Sequence, residues 1–131
     1  MVELEIPPRS AYVGVVRLAL ASLARSIGVD EEVLDDLKIA VSEACANAVL
    51  SNEEAGTDAP VTVHWHESEG RVTVEVGDRG SIYESAPSGE DSQGFSPRLV
   101  MSLGLLEALV EECTFEPRPG GGMLTRLSIT A

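Results

Sequence analysis

The chain has 131 residues, and we expect residues 1–131 to form one domain with a single hydrophobic core. Hydrophobic residues make up 44% of the chain and aromatic residues only 4%. The chain has 22 acidic and 9 basic residues, and the resulting net charge of −13 argues against direct binding to nucleic-acid phosphates. We expect a cytoplasmic location without membrane insertion, because no apolar run reaches the roughly 18 residues of a membrane span and the N-terminus lacks the basic-then-apolar layout of a signal peptide.

The first part of the chain predicts a strand followed by two helices. Residues 2–6 alternate apolar and acidic side chains and then meet a Pro-Pro pair, as a short strand would. Residues 10–27 carry apolar side chains at helical spacing; Ser10 can cap this helix and Gly28 can end it. Asp30 can then cap a longer helix with an apolar stripe of its own. That stripe comprises Leu34, Leu37, Val41, Cys45 and Ala48.

An acid and an amide stand one turn apart in this longer helix, within the stretch of residues 34–52. Glu43 and Asn47 are four residues apart, so their side chains are neighbours on the face opposite the apolar stripe. Isoleucine, alanine and leucine surround them, which is unusual for a solvated face. The alternative is a surface carboxylate beside an ordinary helix-interior asparagine, and the pair alone does not exclude it.

Two alternating segments follow a predicted loop over residues 52–60 and indicate a β-hairpin with one buried face. Apolar residues occupy every second position of 61–65 and of 72–76, and a Glu-Gly turn separates the two runs. His64 and His66 share the polar side of the first strand. A His-x-His pair can bind a metal ion, but no third ligand stands at suitable spacing, so exposed sheet residues are the preferred interpretation.

Asp78 continues the inward-facing series of the second hairpin strand. Because successive side chains of a strand point to opposite faces, the position after 72, 74 and 76 faces the core. A carboxylate there is costly unless something hydrogen-bonds it. Gly77 and Gly80 flank it and permit close approach of backbone or of a flat ligand. A turn aspartate just past a strand end is the alternative, since D-x-G alone is common.

The remaining residues predict a long loop, a helix and two closing strands. Residues 79–93 are rich in Ser, Gly and acids without periodicity, and such a loop inside a small domain is usually functional. Ser96 is a good N-cap for the next helix and Pro97 suits its first position. Gly94 and the helix start could bind phosphate, although a surface loop entering a capped helix explains the same residues. A strand with a turn is predicted over residues 114–119, and a last strand over residues 123–130.

The two cysteines indicate buried reduced thiols. Cys45 lies in the apolar stripe of the longer helix, and Cys113 lies near the junction between the last helix and the strand after it. A disulfide or a shared metal ion is the less favoured interpretation for a cytoplasmic protein.

The order of these elements and their motifs resembles the GHKL-type ATPase (Bergerat) fold, and in size the chain resembles the bacterial anti-sigma factor serine/threonine kinases. This resemblance covers nearly the whole chain. It implies an α+β two-layer sandwich with a mixed, mostly antiparallel sheet and helices on one face, in the order β-α-α-β-β-lid-α-β-β. The similar motifs are AVSEACANAV (40–49, the N-box), VEVGDRG (74–80, the adenine box), ALVEEC (108–113) and GMLTRL (122–127).

The resemblance also implies roles for individual residues around ATP and Mg²⁺. Asn47 would ligate a magnesium ion that bridges the phosphates, since magnesium prefers oxygen ligands. Glu43 would act as the general base toward a substrate serine hydroxyl. Asp78 would accept a hydrogen bond from the adenine amino group, and Gly80 would let the base lie close.

The same resemblance assigns a lid and a set of protein partners. Residues 81–97 would form the lid over the triphosphate, with Gly94 and Ser96 giving N–H groups to phosphate oxygens. Arg17 falls where this group uses an arginine in partner binding. The implied partners are a sigma factor and a STAS-type anti-anti-sigma antagonist, and relatives of this group act as homodimers.

Three positions depart from the pattern of the group. Ser51-Asn52 stand where relatives often carry His-Gly, and the second glycine box retains only Gly94. Met123 replaces the threonine that supports the adenine aspartate, which would leave that aspartate to rely on adenine and water. Thr125 lies on the same face, about 7 Å further along, and is the remaining hydroxyl candidate at the cofactor site.

These observations leave two hypotheses. The first is an ATP- and magnesium-dependent protein-serine kinase that sequesters a sigma factor and phosphorylates its antagonist. The second is a divergent, non-catalytic binding module on the same fold, which would regulate transcription through protein contacts only.

Overall fold

The computed structural model describes residues 1–80 and 97–131, and these form five strands and three helices, with a 3₁₀ turn at Ser10–Tyr12. The predicted order of elements is confirmed for the described residues. The elements in chain order are β1 (Val2–Ile6), α1 (Val13–Ser26), α2 (Glu31–Ala55), β2 (Val61–Ser68), β3 (Arg71–Gly77), α3 (Pro97–Leu109), β4 (Glu112–Pro117) and β5 (Met123–Thr130).

The five strands form one sheet in the order β1-β2-β3-β5-β4. All four neighbouring pairs in the described residues are antiparallel, so the parallel pairing that a mixed sheet would include does not occur there. Helix α2 contacts β2, β3 and β5, and α1 packs on α2. The predicted two-layer α+β architecture, with helices on one face of the sheet, is confirmed.

The inner face of the sheet supplies one side of the hydrophobic core, as the alternating pattern predicts. Every second residue is buried from Val61 to Trp65 in β2 and from Val72 to Val76 in β3. Trp65, at 1% exposure, is the largest fully buried side chain of the described residues. The stripe predicted for α2 is buried in the same core, together with apolar residues of α1. This packing fixes which way the remaining faces of α2 point.

Helix α2 is longer than predicted. Residues 52–60 were expected as a loop, but α2 continues through Ala55 and ends at Gly56 in a left-handed conformation with φ of 70°. Asn52 explains the difference, because this fully buried side chain donates from Nδ2 to the Ala59 carbonyl at 2.9 Å and accepts the Arg79 N–H at Oδ1 at 2.8 Å. A polar residue typical of loops is therefore satisfied inside the helix.

Neither of the two N-caps predicted for α1 and α2 forms a side-chain capping hydrogen bond. Ser10 begins the 3₁₀ turn rather than capping α1, which starts at Val13. Asp30 occupies the N-cap position of α2 without a side-chain capping hydrogen bond. Its charge, together with the acidic first turn, still lies favourably at the positive end of the helix dipole.

The outer face of the sheet is polar and carries the two histidines. His64 Nε2 lies 2.9 Å from Glu3 Oε2 on the neighbouring strand. Within residues 1–80 and 97–131, no cluster of three His, Cys, Asp or Glu side chains is arranged to hold a metal ion, and Cys45 and Cys113 are free thiols. None of the described helices combines the length and the apolar character needed to cross a membrane.

Candidate active site

Three polar side chains follow one another along a single line of α2. Glu43, Asn47 and Ser51 are spaced four residues apart, so each lies about 6 Å along the helix axis from the next. The line faces α3 at its first two members and the end of β3 at its third, because contacts reach Ser102 on α3 and Asp78 after β3. One helix thus connects the two halves of the candidate site.

The first half is a three-membered hydrogen-bond network between α2 and α3. Ser102 Oγ donates to Glu43 Oε2 at 2.7 Å and accepts from Asn47 Nδ2 at 2.6 Å. Asn47 Nδ2 also lies 3.5 Å from Glu43 Oε2, as expected for neighbours one turn apart. Glu43 and Asn47 are half-buried and Ser102 is buried. The predicted proximity of the acid and the amide is confirmed, and a serine from a distant helix joins them.

The second half is centred on the buried carboxylate of Asp78, which is 3% exposed. Its Oδ1 accepts hydrogen bonds from the Gly80 N–H at 3.0 Å, the Met123 N–H at 3.1 Å and Ser51 Oγ at 3.4 Å. Burial raises the pKa of Asp78 above its ordinary value, although these three donors and the charge of Arg118 act in the opposite direction. The inward orientation predicted from the strand alternation is confirmed.

The Asp78 carboxylate was expected to rely on adenine and water for its hydrogen bonds, but groups of the protein itself supply them. Met123 donates through its backbone N–H, which any residue at this position other than proline could do. The hydroxyl that reaches Asp78 belongs to Ser51, one of the two residues that stand where relatives often carry His-Gly. Thr125 is buried on the inner face of β5, in register with Val76 and Phe115.

Gly80 lies so close to α2 that a side chain does not fit. A Cβ built at this position would lie 2.6 Å from the carbonyl carbon of Ser51, and nearer still to its carbonyl oxygen and its Oγ. Gly122 is equally restricted against Asp78 and Arg79, and its φ of 99° also favours glycine. Glycine at 80 therefore allows the segment after Asp78 to approach α2.

A sequence model of the histidine kinase-like ATPase domain family matches residues 6–129. The chain belongs to this family. Among curated relatives, the serine-protein kinase RsbW of Bacillus subtilis (strain 168) is 30% identical over 127 residues, which cover 91% of this chain and 79% of the relative. The serine-protein kinase RsbW of Bacillus velezensis is 32% identical over the same shares of both chains. The resemblance stated from the motifs is confirmed.

Solved structures share the fold of this chain. A chain carrying the RsbU and RsbW domains of a Mycobacterium tuberculosis protein aligns with a TM-score of 0.73 at 23% identity, covering 99% of this chain and 32% of that one. A chain of the SiaB-SiaC complex from Pseudomonas aeruginosa aligns with a TM-score of 0.74 at 13% identity, covering 98% and 89% of the two chains.

Within this ATPase family chain, Asn47 offers an oxygen that suits a divalent cation. Both hydrogen bonds that Asn47 makes among the described residues leave from Nδ2, so Oδ1 points away from Glu43 and Ser102. A magnesium ion is usually held by one or two protein oxygens together with phosphates and water. The donor set here, one amide oxygen beside a carboxylate, fits an ion that arrives with a nucleotide.

Two arginines that the sequence did not single out fasten the closing turn to the Asp78 segment. Arg118 Nη1 donates to the Asp78 carbonyl at 2.8 Å. Arg79 Nη1 donates to the carbonyls of Pro119 and Gly121 at 2.8 and 2.9 Å. Desolvation and the neighbouring Arg79 charge lower the pKa of Arg118. No sequence signal marked them, because they act through backbone carbonyls that lie about 40 residues away in the chain.

The other predicted site residues lie apart from this arrangement or outside the described residues. Arg17 is exposed on α1, and its Nη1 donates to Ser42 Oγ on α2 at 2.9 Å. Gly94 and Ser96 lie outside the described residues, as does nearly all of the predicted lid. Helix α3 begins at Pro97, where the sequence placed the first helical position.

Proposed function

We propose that this protein is an anti-sigma factor with ATP- and Mg²⁺-dependent protein-serine kinase activity, which sequesters a sigma factor and phosphorylates a serine of its anti-anti-sigma antagonist. The observation that carries the proposal is the continuous line along α2, in which Glu43 and Asn47 face α3 while Ser51 contacts the buried Asp78. A nucleotide lying along this line would meet an adenine-binding carboxylate at one end and a base at the other. The RsbW relatives are named serine-protein kinases, which supports the same reaction.

At the adenine end, Asp78 accepts a hydrogen bond from the exocyclic amino group of the base. Its Oδ1 is already held by two backbone N–H groups and the Ser51 hydroxyl, so the carboxylate is fixed before the nucleotide arrives. We propose that the flat ring lies against the backbone at Gly80, and we place Thr125 at the edge of the same region. Because the carboxylate already has the orientation that adenine requires, nucleotide binding does not have to reorganise the site.

At the phosphate end, Glu43 accepts the proton of the incoming serine hydroxyl as its oxygen attacks the γ-phosphorus. A new bond forms between the serine oxygen and phosphorus, the bond to the β-phosphate oxygen breaks, and ADP leaves. Asn47 would hold a magnesium ion through Oδ1, and such an ion would neutralise charge on the phosphates. Gly94 and Ser96 are proposed to give N–H groups to phosphate oxygens from the lid.

The protein partners follow from charge as well as from the family. A net charge of −13 favours partners with basic or arginine-bearing surfaces and disfavours nucleic acid. Arg17 is an exposed cation on α1, and we propose it as a contact to the sigma factor or to the antagonist. A cytoplasmic homodimer completes the proposal.

The alternative is a module of the same fold that acts without phosphotransfer. One of its two supports was Met123 in place of threonine, and that support is weaker because the Met123 backbone and the Ser51 hydroxyl both reach Asp78. Its other support, the incomplete glycine box, falls on residues outside the described ranges. Nucleotide binding therefore decides between the two.

Isothermal titration with Mg-ATP is the first test, and absence of binding near millimolar nucleotide would exclude the kinase. The second test is Glu43→Gln, which keeps an oxygen for the Ser102 hydroxyl but removes the base. ATP affinity should stay within about twofold while phosphate transfer falls at least 100-fold, the lower range for loss of general base catalysis. The acceptor is the small protein that co-purifies with the tagged chain from its native cell, and mass spectrometry reads its phosphoserine.

Glu53→Gln is the matched control for that substitution. Glu53 is exposed on the same helix, so the variant changes the net charge equally without touching the network. Transfer that is unchanged in Glu43→Gln, or reduced equally in both variants, would remove Glu43 from the base role.

A further inference from the structure

Ser102 is the member of the site that neither the motifs nor the family relationship assigns. It lies on α3, 4% exposed, between the buried leucines at 99 and 106 on the same face of the helix. Its hydroxyl donates to Glu43 Oε2 and accepts from Asn47 Nδ2, so both of its hydrogen-bonding roles are used on the two groups proposed for catalysis. A hydroxyl that is buried among apolar side chains destabilises the folded protein unless its donor and acceptor roles are both satisfied.

The network determines which end of the Asn47 amide faces the open site. Ser102 Oγ gives its proton to Glu43, so toward Asn47 it acts as an acceptor and requires the NH₂ end. Glu43 Oε2, 3.5 Å from Asn47 Nδ2, requires the same orientation, because a reversed amide would bring two oxygen acceptors together. The Oδ1 atom is thereby turned away from both groups.

We propose that Ser102 is a positioning residue that holds the Asn47 amide with Oδ1 ready for a divalent cation and at the same time fixes one oxygen of the Glu43 carboxylate. The inference rests on the proposed function, since it assigns a cation to Asn47. It goes beyond it by naming a residue on α3 that couples the metal ligand to the base. Residues that orient a metal ligand through its other atoms typically change metal affinity by about 10- to 100-fold when removed.

A merely structural role would have a different consequence. Leu99 and Leu106 already pack α3 onto the rest of the domain, so removal of one hydroxyl between them should alter the stability of the free protein only modestly. The cation dependence of nucleotide binding separates the two roles, because the packing of α3 acts equally with and without magnesium.

The experiment measures the ATP dissociation constant by titration calorimetry twice, once with excess Mg²⁺ and once with EDTA. In Ser102→Ala the value in EDTA should stay within about twofold of wild type, since the Asp78 end is intact, while the gain from magnesium should fall about 10-fold or more. Ser102→Thr keeps the hydroxyl and should retain the gain. Ser102→Cys keeps the approximate size of the side chain, but its thiol is only a weak hydrogen-bond donor, so it should behave like the alanine variant. It provides the same test if Ser102→Ala does not fold.

Ser128→Ala is the matched control. Ser128 is also a buried serine, but its hydroxyl pairs with Thr73 Oγ1 at 3.3 Å on the outer face of the sheet. Its magnesium gain should equal that of wild type.

The outcomes keep the inference separate from the proposed function. A wild-type protein that binds no ATP contradicts the proposed function itself. A wild-type protein that binds ATP while the alanine and cysteine variants keep its full magnesium gain overturns the positioning role alone. Phosphate found on Ser102 after incubation with Mg-ATP would also overturn it, since Ser102 would then be an acceptor.

Discussion

Replacing Gly80 with alanine would place a methyl group against the backbone of α2. The new Cβ would lie 2.6 Å from the Ser51 carbonyl carbon, whereas two carbon atoms in contact are normally about 3.5 to 4.0 Å apart. An overlap of roughly 1 Å against a helix backbone cannot be relieved by a side-chain rotation. Overpacking costs about 1 to 3 kcal/mol, and the rigid surroundings place this case near 3 kcal/mol.

Urea denaturation measures this loss directly, and for a domain of this size it corresponds to roughly 10 °C in Tm. We also expect ATP affinity to fall at least 10-fold, because relief of the overlap moves Asp78, whose Oδ1 accepts the Gly80 N–H. The double variant Ser51→Ala/Gly80→Ala removes the Oγ but leaves the carbonyl, so it should recover little of the loss.

Gly104→Ala is the matched control, with the opposite sign. Gly104 lies inside α3 and a Cβ there meets nothing within 4 Å. Alanine should stabilise the helix by about 0.5 to 1 kcal/mol. Wild-type stability in Gly80→Ala, or full recovery in the double variant, would contradict the close approach of residue 80 to the backbone of α2.

Three further predictions concern the polar groups and thiols of the core. Ser51→Ala removes a long hydroxyl bond to Asp78 but leaves two backbone donors, so urea denaturation should show a loss of about 1 kcal/mol, and no loss would contradict that contact. Because burial raises the pKa of Asp78, its contribution to stability is fully present below the unfolded pKa, near 3.8, and is lost as the pH rises through the folded pKa. Asp78→Asn does not titrate at this position, so its unfolding free energy relative to wild type should increase as the pH rises from the unfolded pKa through the folded pKa of Asp78, and a constant difference would argue against the raised pKa. Burial raises the pKa of the Cys45 and Cys113 thiols to about 12, so a thiol reagent at about pH 8 should label the native protein slowly and the unfolded protein fast; fast labelling of the native form would contradict this.

The local geometry of helices and strands made part of the site predictable. A spacing of four residues makes Glu43 and Asn47 neighbours in any α-helix, and strand alternation directs Asp78 inward whatever the rest of the fold. The same periodicities identified the buried stripe of α2 and the inner face of the sheet. These statements needed only residues close together in the chain.

The hydrogen-bond partners of those residues were not predictable in the same way. The sequence suggested that Met123 deprived Asp78 of support, yet the support comes from a Met123 backbone N–H and from Ser51, which lies on another element. The loop expected from residue 52 is helical because Asn52 finds partners at Ala59 and Arg79. Polar residues that favour loops by propensity are acceptable in a helix once tertiary contacts satisfy them.

The sequence by itself determined the elements, their buried faces and the pairing of an acid with an amide on one helix, because periodicity acts over a single turn or a single pleat. Only the tertiary structure decided that Ser102 reaches both of them across 55 and 59 positions of the chain, and that position 80 must be glycine against Ser51. Those contacts depend on how α3 and the end of β3 pack against α2, and that packing is set by the whole sheet and core together.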